Sequence, residues 1–416
     1  MNMPRLCPPL FGTLIAATFA APASAALTCN SIYGVSLSVG TATEQRCMST
    51  AQQFIDQLST NQLKSLLDIY DVNSPATIAA RFNDVNVAIS FPDSGTTLNF
   101  IISELGINQS FTGTTRDDSQ QQLEEFLKNN SDIVSRIWNH QARNSPTSPI
   151  SGPTGMIPMA VAGDFNTNFT DFATNIAAPA AAVQQAGQAA GNNLIGVGIG
   201  YQNATLRGMS TKVYPLPLSY TFRNDIDPRR QLTLSIPLHL VEVDRAKSYH
   251  SGLGFGARFP VNDNWTLSPS LKFSIVGSVD QATVAGMYSG SLTSTYILNF
   301  DAFDLVIGNM VGYYKTAKFR AGDYAFDPDI AMVGFRNGLM LSQPVTLGGR
   351  KLSAEYSFID TRYTGDKPFV DNLQEIGFTL GTNKNAYSSR SFFRAGLTYS
   401  RGKNYDSWGA NIGYWF

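Results

Sequence analysis

From residue 194 to its end the chain alternates apolar with small or polar residues, in one segment after another. Leu232, Leu234, Ile236, Leu238 and Leu240 alternate with Thr233, Ser235, Pro237 and His239. Phe393, Ala395, Leu397 and Tyr399 oppose Arg394, Gly396, Thr398 and Ser400. A period of two is the mark of a strand with unlike faces. Twelve such segments are centred near residues 199, 218, 236, 255, 270, 290, 309, 337, 356, 377, 396 and 412. An even number of roughly ten-residue strands predicts a closed antiparallel barrel that crosses a membrane. The last segment carries its apolar face through Trp408, Ala410, Ile412, Tyr414 and Phe416, the final residue, where a water-soluble domain would fray into polar residues. A lipid-facing strand needs no such tail.

Residue usage separates this half from the rest. Of the 17 tyrosines, 15 lie after residue 200, as do three of the four tryptophans, and these amphipathic rings suit a membrane–water interface. A soluble β-sandwich would also alternate, but it has no use for an exposed aromatic final strand. Short turns at 260–264 and 346–350 contrast with longer polar links at 315–329 and 361–371. Pro215, Pro217 and Pro237 fall inside strands, where a ladder wants an N–H, so they predict a bulge or shifted strand limits. Arg258, Lys272, Arg336, Glu355, Glu375 and Arg394 fall on the small-residue face and are expected to point into the lumen, since charge on the lipid face is costly at mid-depth.

The first half is organised differently. Residues 1–25 have Arg5, a short apolar run and Ala23-Ser24-Ala25, the pattern of a cleaved secretory signal. Cys7 would leave with it, so Cys29 and Cys47 are the candidate disulfide in an oxidising compartment. Residues 26–143 read as a small α+β region. Helical spacing runs over 44–70 and 117–138, with short strands at "VNVAISF" and "LNFII" between them. Residues 144–176, which open on a Pro/Ser/Gly-rich stretch, read as a linker. Residues 177–193, "AAPAAAVQQAGQAAGNN", read as a thin Ala-rich helix, long enough from Pro179 to Gly191 to run ~20 Å.

A signal, an N-terminal region, a thin helix and a twelve-strand C-terminal barrel with a terminal aromatic, in that order, resemble the autotransporter (type V secretion) outer-membrane barrels. The resemblance covers residues 177–416, and the short, non-repetitive N-terminal region is most like the solitary barrels of that group. It implies that the helix lies in the pore. It also implies that Ile412, Tyr414 and Phe416 form the C-terminal signal read by the barrel-assembly machinery. The fold class expected is mainly β: a twelve-stranded antiparallel transmembrane β-barrel with a small N-terminal α+β region and a pore helix.

The function expected is to anchor or display the N-terminal region at the cell envelope, with outer-membrane lipid and the assembly machinery as partners. The alternative is a narrow diffusion channel plugged by the N-terminal segment. A net charge of −1 gives no basic footprint for nucleic acid. A monomer in the outer membrane is expected, with no cofactor and no metal. No enzyme is expected either. G-x-S-x-G is missing, the histidines are His140, His239 and His250, and Tyr249-His250-Ser251 puts His and Ser on opposite faces of a strand. Deleting residues 179–191 is expected to raise single-channel conductance in planar bilayers. Unchanged conductance would place that segment outside the pore.

Overall fold

The computed structural model describes residues 27–28, 31–170, 193–227, 229–321, 324–382 and 392–416. The signal at 1–25, Cys29 and nearly all of the Ala-rich segment (177–192) lie outside the described residues. Cys47 is disulfide-bonded.

The C-terminal half is a closed antiparallel barrel of twelve strands. In chain order they are Leu194–Leu206; Met209–Pro215 continued by Leu218–Arg223; Gln231–Ile236 continued by Leu238–Val243; Ala246–Pro260; Trp265–Ser278; Thr283–Asn299; Asp304–Ala317; Ala331–Leu347; Arg350–Gly365; Asn372–Thr382; Phe392–Gly402; and Tyr405–Trp415. Each pairs with the next, and the twelfth closes onto the first from Tyr405↔Leu206 to Trp415↔Gly196. Beyond that ladder, Ile195 and Phe416 exchange both backbone hydrogen bonds, at 2.9 and 3.0 Å. The expected strand centres all fall within these limits.

The prolines neither shift the strands nor add a bulge; they interrupt them. The second strand breaks at 216–217 and the third at Pro237, and both halves of each stay paired to their neighbours. Proline has no N–H to give, so the ladder skips a rung there and resumes. Pro217 and Pro215 lie against Gly198 and Gly200 of the first strand, where a Cβ would come within 2.8 Å of either ring.

Outward positions carry exposed Ile199, Leu232, Phe255, Leu271, Leu339, Ile376 and Leu397, while Ser268, Thr293, Thr295, Ser342 and Thr361 are buried on the lumen side. Apolar outside and polar inside on a closed ladder is the build of an outer-membrane β-barrel, in which no backbone edge meets lipid.

Residues 31–144 form a six-stranded antiparallel sheet in the order β2-β1-β3-β4-β5-β6. Its strands are β1 (Tyr33–Val39), β2 (Ala42–Met48), β3 (Ala76–Phe82), β4 (Val85–Phe91), β5 (Thr97–Ile102) and β6 (Ile107–Thr112). Helices α1 (Ala51–Gln57), α2 (Thr60–Leu66), α3 (Arg116–Asn129) and α4 (Ser131–Asn144) pack around it. The helix expected from residue 44 starts only at Ala51, capped by the Thr50 hydroxyl, because 42–48 pairs with β1. The apolar core of this domain is continuous with Val213, Val241, Val243 and Ala246 of the barrel. Those residues lie on the rim away from Phe416, so the domain seats on the rim opposite the barrel's own ends.

Unboiled protein should migrate differently from boiled protein on a detergent gel, because a closed ladder has no edge from which to unravel. Deleting Phe416 removes the last two seam hydrogen bonds. It is expected to lower the amount of heat-resistant barrel and leave secretion across the inner membrane intact. Identical mobilities before and after boiling would rule out the closed barrel.

Candidate functional site: a helix held in the barrel lumen

The expected linker is not a linker throughout. Ser145, Thr147, Ser148, Ile150, Ser151 and Thr154 are buried. The Ser145 and Thr147 hydroxyls donate to Asp84 of the β3–β4 turn, at 2.6 and 3.3 Å. A Cβ on Gly152 would lie 2.6 Å from the Pro146 carbonyl oxygen. The Pro/Ser/Gly composition therefore encodes irregular but packed backbone, in which hydroxyls take over backbone hydrogen bonding.

Residues 156–168 then form α5 (Met156–Asn168), and this helix lies in the lumen. Its apolar residues are not confined to one stripe: Met156, Ile157, Ala160, Val161 and Phe165 are all buried, and so are the polar Asp164 and Asn168. A helix that buries apolar and polar residues alike is enclosed rather than laid on a surface. At 13 residues it spans ~20 Å, most of the thickness of a barrel's apolar band.

The wall holds α5 in three ways. Lys272, 9 % exposed, lies 2.5 Å from the carboxylate of Asp164, 3 % exposed; the other Asp164 oxygen accepts from the Tyr314 hydroxyl at 2.9 Å. The last turn of the helix has carbonyls without intrahelical donors. Arg258 donates to the Thr167 carbonyl, and the Thr295 hydroxyl donates to that of Asn168 at 3.1 Å. Finally, Phe165 and Phe169 stack with centroids 4.7 Å apart over Gly308 and Gly338, which are direct partners on the seventh and eighth strands. A Cβ on Gly338 would lie 2.8 Å from the Phe169 ring. The glycine pair is a flat seat for two rings.

The remaining lumen charges pair with one another. Arg336 bonds Glu375 and lies 5.3 Å from the centroid of the Phe165 ring; Arg394 bonds Glu355. Both pairs reach across one intervening strand. All six charges singled out in the sequence thus lie in the lumen, with Arg258 and Lys272 on the helix and the other four in wall pairs. Ile412, Tyr414 and Phe416 stand together on the exposed outer face of the last strand.

Three features escaped the sequence reading. One is α5, whose signal is a run of apolar residues with no period. The second is the Gly308–Gly338 seat, visible only once the register is known. The third is Ser248, two residues before His250 on the same strand, whose hydroxyl lies 3.0 Å from the imidazole Nε2. A cavity of about 430 Å³ separates α5 from the wall on the side of the first five and last four strands.

No family model and no curated protein matches the sequence. Among solved structures the chain is similar to the beta domain of the Bordetella autotransporter Brka, with 14% identity, 55% of this chain and 99% of that chain covered, and a TM-score of 0.43. It is also similar to the translocator domain of the autotransporter NalP from Neisseria meningitidis, with 13% identity, 63% and 97% coverage and a TM-score of 0.40. An outer membrane channel from Pseudomonas putida F1 follows, with 11% identity, 54% and 94% coverage and a TM-score of 0.37. The barrel itself rests on the strand pairing and closure given above.

Asp164→Asn leaves Lys272 without its counter-charge in the lumen. Breaking a buried pair from one side costs about 3–5 kcal/mol. The variant should lower the temperature at which the unboiled gel form is lost and raise bilayer conductance as α5 loosens. The double variant Asp164→Asn/Lys272→Met should recover most of the thermal loss. A wild-type midpoint in Asp164→Asn would show that the pair does not hold the helix.

Proposed function

We propose that the protein is an autotransporter-type outer-membrane barrel that anchors its N-terminal domain on the outer rim of its own pore. The observation that carries this reading is the path of the chain. The domain seats on the rim away from Phe416, and α5 descends from that rim with its C-terminal carbonyls against Arg258 and Thr295. The barrel's first strand begins at Leu194, at the rim of the barrel's ends. If those ends face the periplasm, the domain stands outside the cell. The opposite rim bears the long connection 318–330, where Asn139 of α4 donates to the Pro328 carbonyl at 2.5 Å.

A second reading, a narrow channel, is favoured by one observation: the cavity beside α5, whose wall includes Arg258, Glu375 and Arg394. Catalysis has no part in the proposal, and neither does a nucleic acid. The assembly machinery is the partner proposed for Ile412, Tyr414 and Phe416, and lipid for the outer wall.

The two rims can be told apart by labelling. Ser94 is exposed on the β4–β5 connection of the domain, and Asp301 is exposed on a connection at the barrel-end rim. With Ser94→Cys, intact cells should take up a membrane-impermeant maleimide; with Asp301→Cys, only permeabilised cells should. The reverse pattern would put the domain in the periplasm and end the display reading. A stable open pore in bilayers of the wild-type protein would favour the channel.

A further inference from the structure

Besides the wall ion pairs, the described lumen residues include a pair of imidazoles that the helix does not use. His239 on the third strand and His250 on the fourth are direct cross-strand partners. Both line the cavity beside α5. Directly opposed residues on one face of an antiparallel pair have Cβ atoms only ~4.5–5.5 Å apart, so two imidazoles there reach a common point. Along the same row the flanking partners are Pro215 and Val276, and neither side chain offers a hydrogen bond.

The hydrogen bonding of His250 singles out one nitrogen. Its Nε2 is 3.0 Å from the Ser248 hydroxyl. Its Nδ1 is buried and has no partner among the described residues, on a side chain only 5% exposed. A buried imidazole nitrogen without a partner is costly. If Nε2–H donates to Ser248, Nδ1 carries the lone pair, and this is how a ligating imidazole is held: the far nitrogen fixes the tautomer and the near one binds. Lys272, the nearby cation on this wall, has its charge met by Asp164 at 2.5 Å.

We propose that His239 and His250 form a two-imidazole site for a divalent transition-metal ion, facing the lumen cavity, with Ser248 orienting His250. Imidazole suits copper, nickel and zinc, and among these copper(II) binds such ligands most strongly. No third His, Cys, Asp or Glu joins the pair among the described residues, so the other coordination positions fall to water or a small anion from the cavity. The site is therefore an open one, with exchangeable positions.

The test is copper(II) titration of untagged, detergent-solubilised protein, with the gel shift on boiling used first to confirm that each variant is a folded barrel. Wild type should bind one equivalent whose paramagnetic resonance spectrum carries hyperfine structure from two nitrogens, and binding should raise its thermal midpoint. His239→Ala and His250→Ala should each abolish the two-nitrogen signal, and the conservative His250→Gln should do so as well. Ser248→Ala should weaken binding by about tenfold, the loss expected when an outer-shell partner is removed. His140, paired with Glu104 at 3.1 Å in the N-terminal domain, is the competing surface site. His140→Ala should leave the two-nitrogen signal unchanged. A signal that survives in the His239 and His250 variants, or that disappears with His140→Ala, overturns the proposal, as does a wild type that binds no copper.

Discussion

A strand in hydrocarbon cannot leave an edge unpaired, because each exposed backbone group there costs several kcal/mol and finds no water. Everything else in this protein depends on meeting that constraint. The seam between the first and twelfth strands runs from Leu206 to Ile195 and ends on Phe416, so the final residue is part of the closure. Closure also forces the prolines of the second and third strands to sit at skipped rungs, with Gly198 and Gly200 making room for two of them. It fixes which side chains face inward, and with that the chemistry of the lumen.

A barrel of this strand number lies between those filled by side chains alone and those that hold an open aqueous channel. Part of the space left over is occupied by the helix α5, and on one side the wall is shaped to it. The glycine pair receives two phenyl rings, Arg258 and Thr295 satisfy helix carbonyls that have no donors of their own, and Lys272 meets Asp164. A charged pair buried in this way adds less stability than its Coulomb attraction implies, since both ions lose water. Its stronger effect is on position, because either ion alone in that setting is costly.

The domain outside the barrel shares a core with it. Val213, Val241, Val243 and Ala246 on the rim continue the cluster built by Ile32, Tyr33, Phe54 and Leu63. The rim turns serve as partners too. Ser31 donates to Asp244 at 2.8 Å, and Asn83 donates to the Gln281 carbonyl at 2.9 Å. Asp244 and Arg245 both have positive φ, the two-residue turn that matches the twist of a hairpin and keeps this rim low enough for the domain to seat.

The strand number, the two faces of the wall and the inward direction of all six lumen charges were legible in the sequence. Each depends on a period of two, which is local and repeats along every strand. The same reading failed wherever the decisive neighbour is distant in the chain. Lys272 and Asp164 are 108 residues apart, and their meeting depends on which segment enters the pore. Sequence placed the Ala-rich stretch there, which lies outside the described residues, and called the segment containing α5 a linker. A helix enclosed by a barrel wall needs no solvent-facing polar stripe, so it shows no period to read. The Gly308–Gly338 seat, the His239–His250 row and the domain on the rim are likewise products of register and closure. Local pattern decided which residues face lipid; only the tertiary structure decided what fills the space they enclose.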